Sequence, residues 1–377
     1  MANVDRVPNV GYAAMNTKGV LVPWKYTIRH PLEDELLVRV LYCGICHTDI
    51  HMAENDWHTT RYPCVPGHEF IGVIEMAGRS ELEQIDGPSS EPGFEKGDYV
   101  GIGFMCDSCL ECESCLDDRQ MHCDKQVDTF SGFTRGEVTY GGYGKFVVIR
   151  KAFAVKIPKD TKPEILRDMA PLMCAGITTY APIVSNHMSR GNLRIGVIGL
   201  GGLGHLAVQF AAKINPTNEV YVISRSKNKE QLAKQLGALG MIQVGSDPEK
   251  NDGVMKEYGN RFDYLLDTVA VSGKPLAEYM RLLKPLGTLI TVGLPPVDEI
   301  IPMPVTALVM KNCSIQGSLV GGIKLTQNMI DFCHEHSITP MCEHVKLSQV
   351  NEAFQRVLKS DVLFRFVIDV ADSIDSV

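Results

Sequence analysis

The sequence predicts an α/β chain of two parts, a β-rich part first and a doubly wound parallel sheet after it. Three observations carry the prediction. The first 150 residues are short apolar runs punctuated by Gly and Pro, as in LLVRVLYCGIC (36–46) and FIGVIEMAG (70–78). From about residue 175 the texture changes to apolar strands alternating with helical periodicity, the mark of βαβ units. A glycine-rich turn joins the first such strand to the first such helix, in IGVIGLGGLGHLAVQFA (195–211).

Taken in order, GDYVGIGF (97–104) and YGKFVVIRK (143–151) complete the β-rich part, and the polar, acidic stretch 79–96 reads as a solvated loop. In the second part LRIGVIGL (193–200), EVYVISRS (219–226), FDYLLDTV (262–269) and GTLITVGL (287–294) read as strands. GHLAVQFAAKI (204–214) and KNKEQLAKQLGA (227–238) read as helices. The tail adds two helices, 324–338 and 348–361, and a closing strand, FRFVIDV (364–370).

Composition narrows the function classes. The 377 residues are 45% hydrophobic and 22% charged, ordinary for a globular chain of about two domains. A net charge of −8 argues against a nucleic-acid binder that works by neutralising phosphates. No run approaches the eighteen apolar residues of a membrane span. The opening MANVDRVPNVGY holds no apolar core of a signal peptide, so a cytoplasmic protein with reduced cysteines is expected. Twelve cysteines in a reducing compartment point to metal ligands among ordinary buried thiols.

The densest cluster is CDSCLECESCLDDRQMHC (106–123). Cys109, Cys112, Cys115 and Cys123 form C-x2-C-x2-C-x7-C, and four close thiolates can surround one zinc tetrahedrally with no open position, which makes a structural site. Cys106 is left over. A second set is scattered: Cys46 in CGICHTDIH, His68 in VPGHEF and Cys174 in LMCAGIT. A Cys2His set leaves the fourth zinc position open for water or substrate, the catalytic arrangement, with Asp49 available to orient His68. On spacing alone, the commoner reading of such residues is core packing.

The glycine-rich turn is more specific. Gly199, Gly201, Gly202, Leu203 and Gly204 lie between a strand and a helix, where glycines permit a tight turn and close approach to a pyrophosphate at the helix start. The next strand ends in Ser224, Arg225, Ser226, Lys227, Asn228 and Lys229, with no acid to hold a ribose 2′-hydroxyl. Two hydroxyls and three cations suit a 2′-phosphate, so NADP(H) is expected over NAD.

Together these residues resemble the zinc-dependent medium-chain alcohol dehydrogenases, and most of all the cinnamyl alcohol dehydrogenase group. GICHTDIH, YPCVPGHE, the four-cysteine stretch, APLMCAGITTY, GVIGLGGLGHLAVQFA, VISRSKNK and FRFVIDVADS carry the resemblance in the family's order. It implies a GroES-like β-rich catalytic domain from 1–174 and 321–377 and a Rossmann NADP-binding domain from 175–320. The active site would lie in the cleft between them, and a homodimer would form through the Rossmann sheet. It implies two zinc ions per chain, a catalytic one on Cys46, His68 and Cys174 and a structural one on the four-cysteine lobe. Glu69 matches a transient zinc ligand, Thr48 the hydroxyl that exchanges a proton with the substrate, and His51 the outer member of that relay. Ser224, Ser226 and Lys229 match phosphate contacts, with Arg225 standing where a small hydroxyl residue is usual. The implied activity is interconversion of primary alcohols and aldehydes, aromatic such as cinnamyl or medium-chain aliphatic, by hydride transfer.

The chain departs from the group around the substrate. Asp128 stands near the position of the plant enzymes' pocket Trp, with Phe130 the nearest aromatic. Trp57 replaces an aliphatic residue, and Leu319 and Val320 match pocket positions near the cofactor. These changes imply a broad aldehyde reductase as readily as a cinnamyl-specific one. Two alternatives share the fold. A quinone or enoyl reductase lacks both zinc sites. A non-catalytic NADPH-binding structural protein is expected to have lost a ligand or relay residue, and none is lost here.

Overall fold

The computed structural model describes residues 6–78, 93–271, 273–295 and 300–376. The expected solvated loop at 79–96 therefore lies largely outside the described residues. The chain divides into two compact units. One comprises Met1–Cys174, Gly321–Cys333 and Thr339–Val377; the other comprises Ala175–Val320 and His334–Ile338.

The first unit is built on a seven-stranded sheet. Glu35–Ile45 is its spine: it pairs antiparallel with Phe70–Ala77, Phe146–Arg150 and Arg365–Asp369. The closing strand from the far end of the chain thus sits beside a strand from its beginning, with Phe366 opposite Ile45. Leu36, Val38, Val40, Phe70, Ile74, Val100, Ile102 and Phe366 are buried together in its core. Sequence periodicity missed the two-stranded ribbon Val7–Ala14 with Leu21–Ile28, where Pro and charges interrupt the alternation. It also missed the short helix His47–Glu54, whose few residues span only two turns.

The second unit carries six parallel strands in the spatial order Gly240–Gln243, Glu219–Ser224, Arg194–Ile198, Phe262–Asp267, Leu283–Thr291, Ser314–Gly317. Numbered along the chain this is 3-2-1-4-5-6, the doubly wound order whose ligand crevice opens at the carboxyl ends of the strands, where the order reverses. The reversal falls at Arg194–Ile198, the strand that runs into the glycine turn. Gly199 has φ +89°, a conformation that favours glycine, and a Cβ on Gly204 would collide with the Gly199 carbonyl. Helix Gly204–Lys213 can pack against its strand only because that carbon is missing. The strand read at 287–294 begins earlier, at Leu283, and the helix read at 227–238 is shorter, Glu230–Gln235.

Candidate active site and metal centres

The helix His47–Glu54 positions the first half of a donor cluster. Its capping box places Asp49 back toward the chain: Cys46 N–H donates to Asp49 Oδ2 at 2.8 Å. The other carboxylate oxygen of Asp49 accepts Gly67 N–H at 2.9 Å and lies 3.1 Å from His68 Nδ1. With Nδ1 donating to the carboxylate, His68 presents Nε2, which lies 3.3 Å from Cys174 Sγ. Cys46 Sγ and Cys174 Sγ are 4.0 Å apart. Cys46, His68, Glu69 and Cys174 each offer a ligand atom, all within 4.8 Å of one another.

These spacings pass a physical test for zinc. Bonds of about 2.3 Å from zinc to sulfur give a tetrahedron edge of roughly 3.8 Å between thiolates, close to the sulfur separation found. A hydrogen bond from Cys174 holds the Cys46 thiol well below its ordinary pKa, while the same bond holds the Cys174 proton on. Burial opposes charging of His68, but Asp49 and Cys46 outweigh it and its pKa is raised.

Glu69 is fully buried beside this cluster. One carboxylate oxygen pairs with Arg365 on the closing strand, and the other has no partner. Burial is the main force pushing its pKa up to about 7, against the pull of Arg365. A Cβ on Gly44 would strike the Glu69 carboxylate, so this close approach needs glycine. Arg365 escaped the sequence reading; the available signal was a cation inside the otherwise apolar run FRFVI (364–368).

Around His68 stand Phe130, with ring centroids 5.6 Å apart, and Phe104 at 6.4 Å in an edge-on arrangement. Phe104 was also missed. Trp57 lies 5.3 Å from the His51 ring, and its indole Nε1 is buried without a partner. His51 Nδ1 is 2.7 Å from Asp56 Oδ2. Thr48 is half-buried on the same helix.

The four-cysteine lobe is a separate centre. Cys109, Cys112, Cys115 and Cys123 bring their sulfurs within 4.8 Å of one another. Cys123 is 3.4 Å and Cys115 3.8 Å from Cys109. Backbone amides near Cys109, among them Cys112 N–H at 3.3 Å, pull its thiol down to about 6. Cys106 is not part of the cluster: it is buried and donates to the Asp128 carbonyl at 3.2 Å.

In the second unit, nothing would obstruct a Cβ at Gly201, so that face of the glycine turn is open. Lys229 Nζ reaches across to the Leu200 carbonyl at 3.4 Å, which brings its charge to the turn. Ser224 is half-buried, Arg225 and Ser226 are exposed, and Leu203 opens the helix. Leu319 is exposed, and Val320 is buried with φ +35°.

Residues 32–159 match the alcohol dehydrogenase GroES-like domain, and 202–335 match the zinc-binding dehydrogenase domain. The mannitol dehydrogenase of Apium graveolens is 42% identical over 96% of this chain and 94% of its own length. A cinnamyl alcohol dehydrogenase of Sorghum bicolor superposes with a TM-score of 0.85 at 35% identity, covering 97% of this chain and 98% of that one. A Helicobacter pylori cinnamyl alcohol dehydrogenase, solved with NADP(H), gives 0.84 at 31%, covering 98% and 100%. The chain belongs to the zinc-dependent medium-chain alcohol dehydrogenase family, and it is similar to that family's mannitol and cinnamyl alcohol dehydrogenases.

Proposed function

We propose that this protein interconverts primary alcohols and aldehydes with NADP(H), using one catalytic and one structural zinc per chain. The observation that carries the reading is the convergence of Cys46, His68 and Cys174 beside a fully buried Glu69 whose second oxygen is unpartnered. The chemistry supplied by bound zinc and a bound nicotinamide is polarisation of a carbonyl oxygen and exchange of hydride.

The chain's own residues do the rest. Cys46 Sγ, Cys174 Sγ and His68 Nε2 hold the metal, and Asp49 fixes the His68 tautomer. Glu69 offers its spare oxygen while ligands exchange. Thr48 exchanges a proton with the substrate oxygen, and His51, oriented by Asp56, passes it to solvent. Trp57 and Phe130 supply apolar walls for an aromatic or medium-chain aldehyde, and Leu319 and Val320 belong to the unit that carries the glycine turn. The glycine turn receives the pyrophosphate, while Ser224, Arg225, Ser226 and Lys229 receive the 2′-phosphate.

A homodimer through the parallel sheet is supported by its outermost strand, Ser314–Gly317, and by exposed Ile300, Val305, Val309 and Met310 on the segment before it. A reducing, cytoplasmic setting is supported by six of the twelve cysteines lying in the two candidate metal sites. Among the described residues no helix is long and apolar enough to cross a membrane.

The test is the initial rate of NADPH and NADH oxidation with cinnamaldehyde and with a straight-chain aldehyde. Turnover with NADPH on either supports the reading; no turnover with any aldehyde overturns it. Replacing Arg225 and Lys229 together by Ala should shrink the preference for NADPH at least tenfold, on the scale of about 1.4 kcal/mol per decade.

A further inference from the structure

We propose that His205 positions the cofactor's pyrophosphate: its imidazole pins the Gly201 carbonyl and so aims the Gly202 N–H out of the glycine turn. The inference rests on the dinucleotide reading above and gives a residue behind the turn a task in it.

The glycines of the turn create a problem. A glycine lacks the Cβ that restricts backbone rotation, so the plane of the Gly201–Gly202 peptide is not fixed by its own residues. A Cβ at Gly201 would meet nothing within 4 Å, so packing on that face does not fix it either. Leu203, at the start of helix Gly204–Lys213, makes no side-chain cap. The amides at this helix start are the groups a pyrophosphate needs. Their direction depends on the peptide planes of the turn.

His205 supplies the hold. Its Nδ1 lies 3.0 Å from the Gly201 carbonyl oxygen, and its own backbone N–H donates to the same oxygen at 3.1 Å. A carbonyl oxygen only accepts, so Nδ1 carries the proton in this contact, and the oxygen's two lone pairs can take both bonds. The ring is fully buried, in a stretch where Leu206, Ala207, Val208 and Phe210 are fully buried too. An imidazole among apolar side chains costs free energy unless it is hydrogen-bonded. Here the bond it makes runs back to the turn.

A trans peptide is planar, and its C=O and N–H point to opposite sides. Pinning the Gly201 oxygen toward His205 therefore sends the Gly202 N–H the other way, out of the helix start. That is where a doubly wound sheet receives a pyrophosphate, beyond the carboxyl end of strand Arg194–Ile198. The strand side of the turn is held separately, by Thr268 Oγ1 donating to the Ile198 carbonyl at 2.8 Å. Being fully buried, His205 is a positioning residue: it acts on the cofactor through the Gly201–Gly202 peptide.

The experiment compares His205→Asn, His205→Gln and His205→Leu with the unaltered protein. Asn carries a donor nitrogen on Cγ, where Nδ1 stands; Gln carries it one atom further out; Leu has none. Isothermal titration gives dissociation constants for NADPH and for adenosine 2′-phosphate, which keeps the 2′-phosphate and lacks the pyrophosphate. His205→Leu and His205→Gln should weaken NADPH roughly tenfold, the scale of one hydrogen bond to a charged group, with adenosine 2′-phosphate within about twofold. His205→Asn should recover most of the loss. Unchanged NADPH affinity in folded His205→Leu overturns the proposal. So does equal weakening of both ligands, which marks general damage to the unit, and so does a His205→Asn protein no better than His205→Leu. If His205→Leu does not fold, the other two variants decide: tighter NADPH binding by His205→Asn than by His205→Gln supports the proposal, and equal binding overturns it. An unaltered protein that binds no NADPH would instead sink the dinucleotide reading, and this inference with it.

Discussion

The two thiol centres of the first unit are built in opposite ways. The lobe gathers four cysteines from fifteen consecutive residues, and its backbone amides help to hold a thiolate. The other centre draws Cys46, His68 and Cys174 from across 129 residues and surrounds them with borrowed charges: Asp49 behind His68, and Arg365 from the far end of the chain on Glu69. A centre that closes on itself needs little besides its own loop. A centre that keeps one position open must be held by residues that are not ligands, since an open site cannot enforce its own geometry. The unpartnered oxygen of Glu69 belongs only to the second.

That contrast can be broken most forcefully at Cys46. Cys46→Ser should lower turnover by more than about a hundredfold, because a ligand to the electrophilic centre is lost, while NADPH titration shows binding unchanged. Retained turnover would place the reaction elsewhere. Asp49→Asn should act through His68, weakening metal retention against a chelator by roughly 10–100-fold with the protein still folded. An equal loss of metal from the lobe would erase the distinction between the centres.

The same difference decided what could be read in the sequence. C-x2-C-x2-C-x7-C announces its chemistry because all four ligands share one loop, and the glycine turn announces its own because strand, turn and helix are contiguous. Cys46, His68 and Cys174 carried no such local signal, and packing was the commoner reading until the resemblance supplied the family's order. Arg365 and Phe104 stayed invisible because their roles depend on which strands become neighbours. Strand Arg365–Asp369 pairs with Glu35–Ile45 across more than three hundred residues, and periodicity carries no information about such a pairing. The helix His47–Glu54 and the strand Ser314–Gly317 were too short for a periodic signal.

On the lobe side, Cys112→Ser should lower the melting temperature, on the order of 10 °C, since a structural metal contributes folding free energy directly. Turnover per folded chain should fall far less than in Cys46→Ser, and calorimetry with active-site titration checks both. The smallest effect belongs to the ion pairs behind the lobe. Asp34 bonds Arg135 at 2.5 Å and Arg150 at 3.0 Å, and Arg150 also donates to Asp107 and to the Ser108 carbonyl at the lobe's root. The Arg135 guanidinium, with Arg150 beside it, lowers the Asp34 pKa to about 2. A depressed folded-state pKa contributes stability above the ordinary carboxylate value, and that contribution disappears as pH falls from about 4 toward 2. Asp34→Asn should therefore lose less than about 1 kcal/mol at neutral pH, given its exposure. Its stability should converge with the unaltered protein's at acid pH, as urea titrations at pH 7 and pH 3 would report.

The most direct test of the two-centre account is zinc stoichiometry measured with turnover on three proteins in parallel: unaltered, Cys46→Ser and Cys112→Ser. The account predicts two zinc ions per unaltered chain and one in each variant, with turnover abolished only in Cys46→Ser. A single zinc in the unaltered chain, or turnover that survives the loss of the Cys46 site, would contradict it.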